Sequence, residues 1–174
     1  MQDTELFMEL AGIAGVFVGF GALIAVRSGG PSDAFEVGYT RGMVLFGVLT
    51  VVAALAPVTL VRYDLTEHQV WALSSALVLL GWAVFGVVNI RTAEYRTNVA
   101  AGYEATRPRW AVVVDMVTVG LYMLVALLAP IVIILGVAPD LEAALYFTVV
   151  VQILLGAAWL LLSLVYAQRS PAGA

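Results

Sequence analysis

Five apolar stretches, each about as long as a bilayer is thick, constrain this chain more than any other feature. At 1.5 Å per residue, a helix needs about 20 residues to cross roughly 30 Å of hydrocarbon. The stretches 6–26, 43–61, 70–90, 111–137 and 143–167 meet that length, and the only charges within them are Glu9 and Asp115. All are too long for ordinary strands, and none shows the polar–apolar alternation of a membrane barrel. With 63% hydrophobic and 11% charged residues, the chain is too apolar for one water-facing core of its size. The sequence therefore predicts an all-α integral membrane protein: a five-helix bundle forming a single transmembrane domain over 1–174, with the lipid bilayer as its solvent and first partner. The first stretch reads as a retained span, since Asp3 and Glu5 precede it where a cleaved signal would be basic.

Orientation follows from the arginines. With five spans, one side holds Arg27, Arg41, Arg91, Arg96, Arg107, Arg109 and Arg169, and the other holds only Arg62. Positive residues stay in the cytoplasm, which predicts a multi-pass protein of the cell (plasma or inner) membrane with its N-terminus outside and its C-terminus inside. Asp3, Glu5, Asp64, Glu67, Asp140 and Glu142 then face outward. Tyr63 and Trp71 near the outer hairpin, and Trp110 at the inner start of helix 4, suit the interfacial positions of aromatic anchors.

Composition removes several chemistries. Cysteine is absent, and with it disulfides, Fe–S clusters and thiolate metal sites. All eight basic residues are arginine, so no lysine can form a Schiff base. A single histidine, His68, cannot supply paired imidazoles to a haem or a metal. The expectation is therefore no cofactor, no metal site and, at a net charge of −4, no nucleic-acid partner. An intramembrane serine protease needs a buried histidine, whereas His68 belongs to an outer turn. A two-aspartate mechanism needs a second aspartate within the spans, and Asp115 stands alone there. No catalytic residue is assigned, and the chain is not expected to be an enzyme.

Helices 2 and 4 resemble each other. Met43-Val-Leu-Phe-Gly-Val-Leu-Thr-Val-Val-Ala-Ala-Leu-Ala-Pro57 aligns without a gap on Met116-Val-Thr-Val-Gly-Leu-Tyr-Met-Leu-Val-Ala-Leu-Leu-Ala-Pro130, and eight of the fifteen positions are identical. Two unrelated Ala/Val/Leu-rich helices would share about two or three. Asp64-Leu65 answers Asp140-Leu141, and Glu67 and Glu142 precede matching Leu-Leu-Gly blocks. The reading is helix 1 plus a parallel duplication of two hairpins, helices 2–3 and 4–5, related by an axis along the membrane normal.

Three polar residues are candidates for transport chemistry: Glu9, Asp115 and Gln152. Glu9 lies one turn inside helix 1, on a stripe with Gly12 and Gly19 and beside Gly15, so it is expected to face protein. It is either a proton or cation site, or a group that reaches the interface or pairs with Arg62 or His68. Asp115 is either the inner end of a relay or an ion-pair partner of Arg109 or Arg41. Gln152 is expected deepest, lining a cavity or joining helices, and of the smaller polar residues Thr50, Ser74, Ser75, Asn89, Thr118, Tyr122, Thr148 and Ser163, some are expected to face helix partners as modest glue. Pro57 and Pro130 each free a carbonyl and predict helix kinks. Arg91, Arg96, Arg107 and Arg109 form either a clamp for anionic lipid head groups or simply the positive-inside signal. Two functions remain: a small transporter or channel for ions or protons, coupled through Glu9, and a non-catalytic scaffold or accessory subunit. In the second, the glycine face of helix 1 would bind another copy or another membrane protein.

Overall fold

The computed structural model describes residues 4–27, 34–91 and 109–167, with side-chain surroundings over 5–23, 40–87 and 117–162. Five α-helices account for most of this: α1 (Thr4–Arg27), α2 (Ala34–Leu60), α3 (Glu67–Arg91), α4 (Arg109–Ile134) and α5 (Glu142–Ala167). All five are long and apolar enough to cross a membrane, as expected of a multi-pass membrane protein. Each expected span lies on one helix, and the differences are at the ends. α2 begins at Ala34 rather than at Met43, so Arg41, which precedes the apolar stretch, is helical. Hydropathy marks only the lipid-crossing part of a helix, and the polar turns before it carry no apolar signal. α4 stops at Ile134, three residues before the apolar run ends at Val137, because Gly136 takes a left-handed φ of 63°. Gly136 N–H donates to the Ile133 carbonyl and Val137 N–H to the Val132 carbonyl, the paired bonds of a Schellman ending.

The other connection is built differently. A 3₁₀ turn over Val61–Tyr63 follows α2, and Asp64 then adopts a left-handed φ of 54°. α3 starts in a capping box: Gln69 N–H donates to Thr66 Oγ1 at 3.4 Å, and Thr66 N–H donates to Gln69 Oε1 at 3.0 Å. Pro57 and Pro130 stand three residues before the end of α2 and four before the end of α4, so each helix closes within about a turn of its proline. A proline there can redirect only the last turn.

Two compact units divide the chain. One comprises 1–65 with 150–174 and is built on α1, α2 and the later part of α5. The other comprises 66–149 and holds α3, α4 and the first turns of α5. In the first unit, α1 buries Phe7, Ala14 and Gly21, spaced seven apart on a single seam. α2 answers with Gly47, where an added Cβ would come within 2.7 Å of Val18 Cγ2 and 3.3 Å of the Ala14 carbonyl. At Gly21 an added Cβ would meet Val44 Cγ2 at 2.7 Å and Met43 Cε at 2.8 Å. At Gly47 the missing side chain lets α2 lie close to the Ala14 and Val18 backbone of α1, and at Gly21 it makes room for the Val44 and Met43 side chains.

Large apolar side chains occur on both buried and exposed faces, and Phe7, Met43, Trp71, Ile133, Tyr146 and Ile153 are fully buried. Ala53, Ala54, Ala56, Ala126, Ala129 and Ala157 are buried, while Leu23, Leu80, Leu121 and Leu155 are exposed. This distribution suits a hydrocarbon solvent, in which an exposed leucine costs nothing. The Thr50 and Thr148 hydroxyls donate to the Phe46 and Ala144 carbonyls, each at 2.8 Å, four residues back in the same helix.

The α1–α2 contact makes a direct prediction. Gly47→Ala drives a methyl group into Val18 and the Ala14 backbone, and should cost about 1–3 kcal/mol. Gly15→Ala meets open space and should be neutral or slightly stabilising in the isolated chain. Unfolding of both variants in mixed micelles checks the contrast; equal losses would remove the seam as the basis of α1–α2 packing.

Candidate functional site

α1 is a one-sided helix. Opposite its seam lie Glu5, Met8, Glu9, Gly12, Gly15, Val16, Gly19, Phe20, Ala22 and Leu23, all exposed in the single chain. An added Cβ at Gly12, Gly15 or Gly19 would meet no neighbouring atom within 4 Å. The three glycines thus form an open stripe on this arc of α1 among the described residues. Glu9 shares this arc. The expectation that it faces protein does not hold within one chain, because the seam at Phe7, Ala14 and Gly21 turns the other side of α1 inward. Among the described residues Glu9 makes no ion pair.

His68 has a different partner. Its Nδ1 lies 2.7 Å from Glu142 Oε1, with the imidazole 47% exposed and the Glu142 side chain only 4% exposed. His68 is in the first turn of α3 and Glu142 opens α5, so the contact ties the starts of two helices inside the second unit. A carboxylate at a helix N-terminus is favoured by the unpaired N–H groups there. The imidazole also lies against Gly136: a Cβ there would sit 3.3 Å from His68 Cε1. The left-handed turn after α4 and its missing side chain together make room for the ring.

Below this pair, Trp71 and Tyr146 are both buried, with ring centroids 5.5 Å apart and planes tilted by 45°. His68 and Trp71 are three residues apart on α3, and Glu142 and Tyr146 are four apart on α5, so one polar and one aromatic contact stack along the same helix pair. The sequence reading placed His68 in an outer turn and Glu142 in the outer acidic set without joining them. Two signals were available: a lone histidine beside a capping box, and a carboxylate opening a long apolar helix.

The remaining candidates are dispersed. Gln152 is half-buried on α5, in the first unit. Asp115 lies in α4 and Arg91 and Arg109 at helix ends, with side chains outside the described residues; Arg96 and Arg107 lie outside them altogether. Pro57 and Pro130 are buried near the ends of α2 and α4. Among the described residues, no group of three or more His, Cys, Asp or Glu side chains is arranged to hold a metal.

The His68–Glu142 geometry predicts a tautomer. With Nδ1 donating to a carboxylate, the neutral ring carries its proton on Nδ1 and leaves Nε2 as the acceptor. Nitrogen-15 shifts of the lone histidine read this directly, and a neutral ring protonated on Nε2 would contradict the contact. No family model, curated protein or solved structure matches this chain.

Proposed function

We propose that this is a non-catalytic multi-pass membrane protein that works by lateral association, with the outward face of α1 as its contact surface and a second copy of the chain as the occupant. The observation that carries this reading is the open stripe at Gly12, Gly15 and Gly19, where an added Cβ would meet no described atom within 4 Å. Gly15 and Gly19 form a GxxxG pair, whose value in lipid is close backbone approach. A stripe of this kind suits an identical stripe in a two-fold pair, the commonest oligomeric arrangement. The arginine count supports an N-terminus outside and a C-terminus in the cytoplasm of the cell membrane.

The duplication of helices 2–3 and 4–5 belongs to the same proposal, and burial supports it. In the shared block, Val52 and Val125 are exposed, Ala53 and Ala126 buried, Leu55 and Leu128 exposed, and Ala56 and Ala129 buried, as are Pro57 and Pro130. The one position that differs in residue also differs in environment: Ala54 is buried and Leu127 exposed. A doubled hairpin is a simple way to enlarge a bundle, and it requires no transport.

The transport reading differs in where it needs Glu9. A coupling carboxylate must line a path, and from the outward arc of α1 Glu9 could do so only between copies.

The absence of cysteine makes the test clean. Gly15→Cys should form a disulfide between chains in native membranes, whereas Val117→Cys, also exposed but on α4, should not. Gly15→Leu should reduce the dimer in mild detergent at least tenfold. Crosslinking of Gly15→Cys to another protein instead would make the chain a subunit of a mixed complex. Proton or cation flux into sealed vesicles that Glu9→Gln abolishes would favour transport.

A further inference from the structure

The likeness of α2 and α4, from Met43 on Met116 to Pro57 on Pro130, allows their surroundings to be compared position by position. Near their ends both helices bury the same face, Ala53 with Ala126, Ala56 with Ala129 and Pro57 with Pro130. Further back they differ in what covers them. On α2, Gly47 nests against Ala14 and Val18 of α1, and Val44 lies against Gly21. Thr50 and Ala54, three and seven residues beyond Gly47, are fully buried. On α4 the equivalent Gly120 meets nothing within 4 Å, and Val117, the equivalent of Val44, is 64% exposed. Residues 117–121 are all exposed, which is more than one turn of α4 at about 3.6 residues per turn. A glycine costs a helix about 1 kcal/mol relative to alanine. At Gly47 the close approach of α1 offsets that cost; at Gly120 nothing among the described residues does.

α1 is thus the occupant of one of two equivalent faces, and it defines what the other accepts. Ala14 is small enough for Gly47 to reach its carbonyl, and Val18 fills the space left by the missing Cβ. Ala14 meets Gly47 while Gly21 meets Val44, so numbering rises along α1 as it falls along α2, and the two are antiparallel. In hydrocarbon, close approach of this kind is what draws helices together. We infer that the N-terminal half of α4, centred on Gly120, is a docking face for a transmembrane helix of another membrane protein. That helix runs antiparallel to α4 and carries a small residue followed, four positions on, by a β-branched one. Met123 and Leu127 stand where α2 has Thr50 and Ala54, so the contact centres on Gly120 and the visiting helix tilts away beyond it. A second copy offers no free edge of this type, because its own α2 holds Ala14 and Val18. The inference rests on the duplication proposed above and makes no use of the glycine stripe of α1.

The probe is a peptide copying α1 over residues 4–27, reconstituted in vesicles with the full chain. Its Gly12, Gly15 and Gly19 are replaced by leucine so that the stripe cannot pair, and Gly21→Cys supplies its thiol. A Cβ at Gly21 lies 4.0 Å from Val44 Cβ, a separation that a disulfide spans. Val117→Cys in the chain should therefore crosslink to the probe at least about fivefold more than Val119→Cys, which is exposed on the opposite side of α4. Adding Gly120→Leu to Val117→Cys should lower that yield by a similar factor. All three substitutions fall at exposed positions, so the chain keeps its packing. Equal yields at the two cysteines, or a yield indifferent to Gly120→Leu, overturn the inference and leave this side of α4 to lipid. A disulfide in native membranes between Val117→Cys of one copy and Gly15→Cys of another makes a second copy the occupant, which overturns it too. Gly15→Leu in the chain should weaken its pairing without changing capture of the probe, so the two proposals fail separately.

Discussion

Hydrocarbon offers a backbone no hydrogen-bond partner, and that constraint shapes every described element of this chain. Each span must satisfy its N–H and C=O groups internally, which leaves the α-helix as the solution for segments of this composition. The same constraint governs the exceptions. The two turns with left-handed residues, at Asp64 and Gly136, fall at helix ends, where a capping box and a Schellman ending use polar groups a continuing helix would have paired. Thr50 and Thr148 return their hydroxyls to carbonyls of their own helices for the same reason. With the backbone closed in this way, the helices have little left with which to attract one another except close contact.

Close contact then depends on which residues are absent from a face. α1 meets α2 at Ala14, Val18, Gly21 and Gly47, where two backbones approach and dispersion rather than exclusion of water holds them. The sequence marks Gly15 and Gly19 as the close-packing pair, yet it is Gly47 of α2 that lies against the α1 backbone, while Gly21 makes room for Val44 and Met43. A GxxxG spacing says that a backbone can approach; it does not say whose. Which glycines meet depends on how α1 is rotated, and that is set by Phe7 and Ala14, which look like any other apolar residues in a span.

The number, type and approximate limits of the spans were legible because hydropathy over about 20 residues is a strong signal and lipid imposes a fixed length. Helix ends were less so: the polar turns before Met43 carry no apolar signal, and a single glycine stops α4. The polar sites were legible only in part. Glu9 stood out because a carboxylate in an apolar run is costly, and its surroundings in the single chain are not those the glycine stripe suggested. His68 and Glu142 are 74 positions apart, and neither is unusual where it stands. Their meeting depends on α3 and α5 starting at the same end, and on Gly136 leaving room between them, which no local spacing encodes.

Under the proposed duplication, this pair also shows where the two hairpins part company. Glu67 and Glu142 are equivalent, and both open a helix, but Glu67 is exposed whereas Glu142 is covered and bonded to His68. The packing block of Val, Ala, Leu and Pro keeps the same faces buried in both copies, because changing it would disturb helix contacts along the whole span. The turns carry no such burden, since water can satisfy whatever they leave unpaired. On that reading the two hairpins agree over the block near the ends of α2 and α4 and part further back, where Gly47 is buried against Val18 and Ala14 while Gly120 meets no neighbouring atom within 4 Å.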